Sequence, residues 1–94
     1  MRLGWDPAKS ARNIQERKLP FDLVADFGWD TALVVEDTRY DYGEERMRAI
    51  GLIGDRLFVV VYTDRADARW VISFRKANDR EVRLYGRFHK TKTP

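Results

Sequence analysis

The chain has 94 residues, of which 44% are hydrophobic and 13% aromatic, so it is not intrinsically disordered and is expected to form one domain over residues 1–94. It contains no cysteine, which excludes a disulfide-stapled fold and favours a reducing compartment. Its net charge of +3 permits an RNA, DNA or acidic protein partner without requiring one. The longest apolar run, from Leu57 to Tyr62, is too short to cross a bilayer, and the amino terminus lacks the apolar region of a signal peptide, so we expect a cytoplasmic protein without membrane contact.

Two helices are predicted in the first third of the chain. The segment WDPAKSARNIQERK begins a helix at Asp6, a good N-cap residue, and Pro7 suits the first helical position. Pro20 is expected to end this helix, because the residue before a proline avoids the helical conformation. The segment FDLVADFG predicts a second, shorter helix that stops at Gly28. The stretch MRLGW before the first helix could add a short edge strand.

Four strands follow and predict an antiparallel meander with the sequences TALVVED, RMRAIGLI, RLFVVVYT and ARWVISF. The third is apolar on both faces and is expected at the centre of the sheet. A last helix, NDREVRLYGRFHK, begins at Asn78, and Glu81 completes a capping box. The predicted fold is therefore α+β, with two N-terminal helices, a four-stranded antiparallel sheet and a C-terminal helix.

Several arginines are predicted on the sheet face opposite the core. Strand alternation places Trp70, Ile72 and Phe74 on the core face and Arg75 on the other, and Arg65 follows the third strand. Because a guanidinium binds two phosphate oxygens at once, these two arginines are candidates for one shared anion site. Lys76 and the N-terminus of the last helix would add to it. The alternative is that the arginines are solvated surface charges, which the spacing alone favours.

No metal ion or cofactor is predicted. Four carboxylates crowd one loop, but loop carboxylates are more often solvated than metal ligands: Asp37, Asp41, Glu44 and Glu45. The sequence shows no glycine-rich phosphate loop and no serine or cysteine nucleophile with a plausible histidine and acid.

Four segments resemble, in this order, those of the BrnT family of bacterial ribonuclease toxins from type II toxin–antitoxin modules: WDPAKSARNIQERKLPF, YGEERMRAIG, VVVYTDR and ISFRKANDREVRLY. The resemblance runs from Leu3 to about Tyr85. It implies a RelE-like fold and a metal-independent endoribonuclease. It also implies a BrnA-type antitoxin with a ribbon-helix-helix fold, a heterotetrameric toxin–antitoxin complex, and operator DNA bound only through the antitoxin.

The family's basic and polar motif positions fall on Lys9, Asn13, Glu45, Arg46, Arg65, Ser73, Arg75, Lys76, Glu81 and Tyr85. RNA carries its own nucleophile, the 2′-hydroxyl, so alignment and charge stabilisation can supply most of the rate. Arg65 and Arg75 are expected to stabilise that charge, and Glu45 or Tyr85 to act as general base or acid.

Four cations are expected to bind RNA: Lys9, Arg17, Arg46 and Lys76. Arg17 stands where many relatives have a histidine, and an arginine cannot accept a proton at neutral pH. Two other functions are consistent with the sequence. One is a non-catalytic nucleic-acid-binding module, and the other is a protein whose basic face only docks an antitoxin.

Overall fold

The structure, a computed structural model, describes residues 2–92, with side chains described through Lys90. Its elements in chain order are β1 (Arg2–Trp5), α1 (Pro7–Arg17), two short 3₁₀ helices (Phe21–Asp26 and Trp29–Thr31), β2 (Leu33–Glu36), β3 (Met47–Ile53), β4 (Arg56–Arg65), β5 (Ala68–Lys76) and α2 (Asp79–Lys92). No helix in the described range is long and apolar enough to cross a membrane.

The sheet has five strands in the order β1-β5-β4-β3-β2, and it is mixed. The prediction of a four-stranded antiparallel sheet was therefore wrong. β2 to β5 do form an antiparallel meander, but β1 adds a fifth strand that pairs in parallel with β5, from Arg2 opposite Ala68 to Trp5 opposite Val71. A four-residue strand is too short to show a period of its own, and its pairing depends on the free edge of β5.

The prediction of two N-terminal helices was also wrong, because only α1 is an α-helix there. The second segment is a 3₁₀ helix from Phe21 to Asp26. Phe21, Val24 and Phe27, the residue that follows this helix, are all buried at a spacing of three residues. That spacing matches the three residues per turn of a 3₁₀ helix. In addition, α1 ends before Pro20, at Lys18, which adopts a left-handed conformation with φ 60° and donates its N–H to the Ile14 carbonyl.

The main hydrophobic cluster lies on one face of the sheet, which we call the core face, while Ile50 and Val59 are buried on the other face. On the core face the 3₁₀ helix packs against Phe58, Val60 and Tyr62 of the central strand β4. Gly51 of β3 lies directly beneath the Phe27 ring, and a Cβ atom at that position would be 2.6 Å from Phe27 Cζ. The core is thus built by β4, its two neighbouring strands and the segment that follows α1.

A bulge in β5 changes which of its side chains reach the core. Val61 pairs with Ser73 and Tyr62 with Val71, so Ile72 is the extra residue. Val71 and Phe74 are consequently buried, whereas Trp70 and Ile72, which strict alternation assigned to the core face, are only half-buried. Alternation had assumed an unbroken strand, and the bulge reverses the faces on its amino-terminal side.

α1 is held against β5, beyond the point where β1 ends. Asn13 is buried, and its side-chain N–H groups donate to the carbonyls of Leu19 and Phe74 at 2.8 and 2.9 Å. Ser10 Oγ accepts a hydrogen bond from the Phe21 N–H. These two polar side chains fix α1 along the edge of β5 that no strand covers.

α2 crosses the opposite face of the sheet, which we call the arginine face because it carries Arg48, Arg65 and Arg75. The predicted capping box is confirmed: the Asn78 N–H donates to Glu81, and the Glu81 N–H donates to the Asn78 side chain, both at 2.9 Å. At the far end of α2, His89 Nε2 lies 2.7 Å from the Thr31 carbonyl oxygen, just before β2. The helix therefore spans the sheet from β5 towards β2.

Candidate functional site

Arg75 lies near the end of β5 and is held by the first turn of α2. Its two terminal nitrogens donate to the two carboxylate oxygens of Glu81 at 2.7 and 2.8 Å. This pair raises the pKa of Arg75 and lowers the pKa of Glu81, because each charge stabilises the other through hydrogen bonds. The Arg75 side chain remains 29% exposed, so its guanidinium is fixed in position while part of it still faces solvent.

An open groove runs between α1 and β5, and we call it the α1 groove. One part, of about 350 Å³, is lined by Arg17, Leu19, Arg75 and Lys76. A second part, of about 170 Å³, continues along α1 and includes Lys9, Arg12, Asn13, Ser73 and again Arg17. Five cations line the two parts, against the single carboxylate of Glu16. The groove therefore carries an excess of positive charge suited to a polyanion.

The cations of the α1 groove differ from Arg75 in their partners. Within residues 2–92, no ion pair involves Lys9, Arg12, Arg17 or Lys76. The Arg17 guanidinium donates one hydrogen bond, 3.3 Å long, to the uncharged side chain of Asn13 at Oδ1. These side chains can therefore bind phosphate without first breaking a pair with a carboxylate.

The arginine face holds a second group of cations, which starts at the loop between β2 and β3. Arg65 Nη2 lies 3.2 Å from both oxygens of Glu44, and Arg46 Nε lies 3.6 Å from one of them. Arg48 follows on the same face of β3, opposite Val61. The Nε atoms of Arg46 and Arg48 are buried and have no hydrogen-bond partner within the described residues. The arginine face therefore carries a second group of guanidinium groups, two of which pair with Glu44.

The loop between β2 and β3 contributes a further arginine, Arg39. It forms a two-point pair with the buried carboxylate of Asp37, both distances being 2.9 Å, and this pair lowers the pKa of Asp37 to about 2. The positive charge of Arg39 also acts on Arg75, where it lowers the pKa against the stronger effect of Glu81. Arg75 thus borders the α1 groove on one side and lies within electrostatic range of the loop on the other.

Arg65 and Arg75 do not share one anion site, contrary to the expectation from the sequence. In the register of β4 and β5, Arg75 is opposite Val59, whereas Arg65 is opposite Ala68. Arg65 is six positions beyond Val59 along β4, which corresponds to about 20 Å. Each arginine also has its own carboxylate, Glu44 or Glu81. Both lie on the arginine face, but at different ends of it.

The other predicted site residues are distributed among these places. Lys9, Arg17 and Lys76 line the α1 groove with Arg75, and Arg46 lies beside Arg65. The two predicted proton-transfer residues lie elsewhere. Glu45 is exposed at the Arg65 end of the sheet, and Tyr85 lies on α2, where the centroid of its ring is 4.3 Å from that of His89. The structure therefore brings together three of the four predicted RNA-binding cations and Arg75, and it leaves Arg46 and Glu45 at the Arg65 end of the sheet.

Three contributors to the site were absent from the sequence-based assignment: Arg12, Arg39 and Arg48. For Arg48 a signal existed, because it alternates with Arg46 and Ile50 on one face of a predicted strand. Arg12 lies one helical turn after Lys9, a spacing that places both on one side of α1. Arg39 lies in a loop without periodicity, and its contact with Asp37 could not be read from the sequence.

The arrangement can bind a phosphodiester chain and stabilise extra negative charge on one phosphate. Of the five N–H groups of Arg75, two are bonded to Glu81 and one to the Lys76 carbonyl within the described residues, which leaves two for a ligand. Guanidinium groups held in place before the ligand arrives are the usual means of charge stabilisation in phosphoryl transfer.

Comparison with known proteins agrees with this chemistry. The family model described as the ribonuclease toxin BrnT of type II toxin–antitoxin systems matches residues 5–81. Searches of curated proteins and of solved structures found no match. Because the family model covers well over half of the chain, and because its range includes α1, the whole meander and Glu81, the protein belongs to the BrnT family of ribonuclease toxins of type II toxin–antitoxin systems.

Proposed function

We propose that this chain cleaves RNA without a metal ion, by attack of the RNA 2′-hydroxyl on the adjacent phosphate, and that Arg75 stabilises the charge that develops there. Family membership supports the coarser role: a ribonuclease toxin with an RNA target and an antitoxin partner. The single observation that carries the finer proposal is the place of Arg75, which is fixed by Glu81 and borders the cationic α1 groove.

In this mechanism the α1 groove holds the RNA backbone. Lys9, Arg17 and Lys76 bind phosphates on one side of Arg75, where none of them forms an ion pair with a carboxylate among the described side chains. Arg65 lies about 20 Å from Arg75 along the sheet, and Arg46 pairs with the same carboxylate as Arg65, so both would contact nucleotides further along the strand. A chain that follows both groups is positioned over Arg75, and this positioning contributes to the rate.

Charge stabilisation and proton transfer are assigned to different residues. The added charge on the phosphate falls to Arg75, with Arg65 as a further cation on the same face. Tyr85 is the proposed general acid or base nearer to Arg75, because it follows Glu81 by one helical turn, about 6 Å along α2. Glu45 is exposed and lies with Arg65, so a proton-transfer role for it requires that the scissile phosphate reach that end of the sheet.

Metal independence is supported by the partners of the loop carboxylates. Asp37 binds Arg39 and accepts a hydrogen bond from the Tyr42 hydroxyl, and Glu44 binds Arg46 and Arg65. These carboxylates already neutralise arginines. The electrostatic task of a metal ion is then left to the guanidinium groups, while RNA supplies its own nucleophile.

We further propose that a BrnA-type antitoxin of the ribbon-helix-helix class neutralises the toxin in the cytoplasm, in a heterotetramer that binds operator DNA through the antitoxin. The excess of cations over carboxylates in the α1 groove favours an acidic antitoxin segment as the group that covers it. A protein that only docks an antitoxin, or only binds nucleic acid, would use the same charges without cleavage.

Two matched RNA oligonucleotides test the mechanism in the presence of EDTA. One is fully ribose, and the other carries a single 2′-deoxy substitution at the mapped cleavage position. The proposal predicts cleavage of the first, with a 2′,3′-cyclic phosphate and a 5′-hydroxyl at the new ends, and no cleavage of the second there. Cleavage that EDTA abolishes, or equal cleavage of both oligonucleotides, would contradict it. Binding without cleavage would favour the non-catalytic alternatives.

A further inference from the structure

The loop between β2 and β3 presents one large side chain to solvent. Tyr40 is 72% exposed, which is the highest value among the exposed large hydrophobic residues in the described part of the chain. The positions beside it carry both signs of charge, because Arg39 precedes it and Asp41 follows it. A single exposed aromatic needs no explanation by itself, so its surroundings decide whether it has a function.

Those surroundings form an ordered support. The Tyr40 ring meets the Tyr42 ring edge to face, with 5.9 Å between the centroids and an angle of 74°. Tyr42 is itself held by two further contacts. Its hydroxyl donates a hydrogen bond to Asp37 at 3.2 Å, and the guanidinium carbon of Arg46 lies 4.0 Å from the centroid of its ring. The pair of rings formed by Tyr40 and Tyr42 is therefore positioned before any ligand binds, which reduces the entropic cost of binding.

Two arginines lie beside this pair of tyrosine rings. Arg39 precedes Tyr40 in the chain and shares the Asp37 carboxylate with Tyr42, while the Arg46 guanidinium stacks on the Tyr42 ring and shares Glu44 with Arg65. An exposed ring with arginines close by is a combination that binds single-stranded nucleic acid, because the ring stacks on a base while the cations bind the neighbouring phosphates. A base paired within a duplex presents no free face to such a ring.

We propose that Tyr40 is a stacking subsite for one unpaired nucleobase of the RNA, and that it makes the protein select single-stranded over double-stranded substrate. The proposal rests on the RNA-cleaving function proposed above, because it takes RNA as the ligand. It adds the substrate class and a contact outside the catalytic residues. Tyr40 acts on binding, so its loss raises KM and leaves kcat nearly unchanged.

The test measures the affinity for a single-stranded oligonucleotide that cannot be cleaved because every sugar is 2′-O-methylated. Tyr40→Ala is expected to weaken binding about tenfold, whereas Tyr40→Phe keeps the stacking ring and binds like the wild type. Affinity for a duplex of the same sequence should be unchanged in both variants. Because Tyr40 is exposed, both variants are expected to fold, and thermal unfolding verifies this.

A scan with single abasic positions locates the stacked base. At one position of the oligonucleotide the abasic substitution should weaken wild-type binding and leave Tyr40→Ala binding unaltered, because the contact is already lost. Equal weakening of single-stranded and duplex binding, or additive losses at every abasic position, would overturn the proposal. So would a Tyr40→Ala variant that binds RNA normally but has lost affinity for the antitoxin, since the surface would then serve that protein.

These results are separable from the fate of the cleavage proposal. If the wild type binds single-stranded RNA through Tyr40 but never cleaves it, the stacking subsite stands and the catalytic function fails. If the wild type cleaves RNA and Tyr40→Ala matches it in KM and in affinity, the subsite fails and the catalytic function stands.

Discussion

One carboxylate, that of Glu81, binds both Arg75 and the start of α2. It accepts two hydrogen bonds from the Arg75 guanidinium at 2.7 and 2.8 Å and one from the Asn78 N–H at 2.9 Å. The helix start and the cation at the end of β5 are therefore parts of one structure. The orientation of Arg75 towards the α1 groove depends on a residue that need not touch the substrate.

Replacement of Glu81 by glutamine is expected to lower the free energy of unfolding by about 2 kcal/mol at neutral pH, because it leaves a half-buried guanidinium without its charge partner. Urea denaturation measures this. Glu36→Gln, which removes an exposed carboxylate at the end of β2, serves as the control and should change stability little. Equal losses in the two variants would show that the pair does not stabilise the fold.

The same pair predicts a dependence of stability on pH. The pKa of Glu81 is lowered in the folded protein, mainly by its hydrogen bonds from Arg75, so its contribution is present above its ordinary value of 4.5. That contribution is lost as the pH falls through the lowered folded value. The difference in stability between wild type and Glu81→Gln should therefore shrink in acid, and a difference that stays constant down to about pH 2 would contradict this.

Replacement of two glycines by alanine is expected to change the free energy of unfolding in opposite directions. A Cβ at Gly51 would lie 2.6 Å from Phe27 Cζ, and the Phe27 ring itself packs against Trp29 at 4.7 Å, so Gly51→Ala is expected to cost about 2 kcal/mol. Gly86 lies in α2 with open space around it, and Gly86→Ala should gain up to about 1 kcal/mol. Denaturation midpoints measure both, and shifts of the same sign would contradict the described packing.

The sequence predicted the antiparallel meander and the capping box, because each depends on local spacing. The choice of Lys9, Arg17 and Lys76 as RNA-binding cations came from the family resemblance, and their role stays a prediction. The sequence did not predict the parallel pairing of β1 or the bulge at Ile72, since both depend on contacts between distant segments. The error about Arg65 and Arg75 has the same origin. Alternation placed Arg75 on the face opposite the core, and Arg65 was predicted only to follow the third strand. Both lie on one face, but the distance between them is set by the register of β4 and β5.

The type and the ends of the N-terminal helices could be predicted only in part from the sequence. The sequence predicted a helix with a buried apolar side that includes Phe21, Val24 and Phe27. Their spacing of three residues fits a 3₁₀ helix as well as an α-helix. Lys18 ends α1 in a left-handed conformation, a position for which glycine is the usual residue, so the signal for the helix end was missing from the sequence.

Arg17 should contribute one phosphate contact to RNA binding. With Arg17→Ala, the slope of log affinity against log salt concentration is expected to fall in magnitude by about 0.7 for single-stranded RNA. Titrations of an uncleavable oligonucleotide between about 50 and 200 mM salt measure the slope. Arg17→Lys should retain it, and Arg83→Ala, which removes an exposed cation of α2 away from the α1 groove, should leave it unchanged. A lower slope in Arg83→Ala alone would contradict the groove as the binding path.

The single-turnover rate of RNA cleavage in Arg75→Ala tests most directly the claim that Arg75 stabilises the reacting phosphate. Because Arg75→Ala leaves the Glu81 carboxylate without its partner, the variant is compared with the double variant Arg75→Ala/Glu81→Gln, which removes that unpaired charge, and with Arg83→Ala, which matches the loss of one cation. The account predicts a rate lower by about 10²–10³ in both variants that lack Arg75, and a rate close to wild type in Arg83→Ala. Folded Arg75 variants that cleave within about tenfold of the wild type would contradict it.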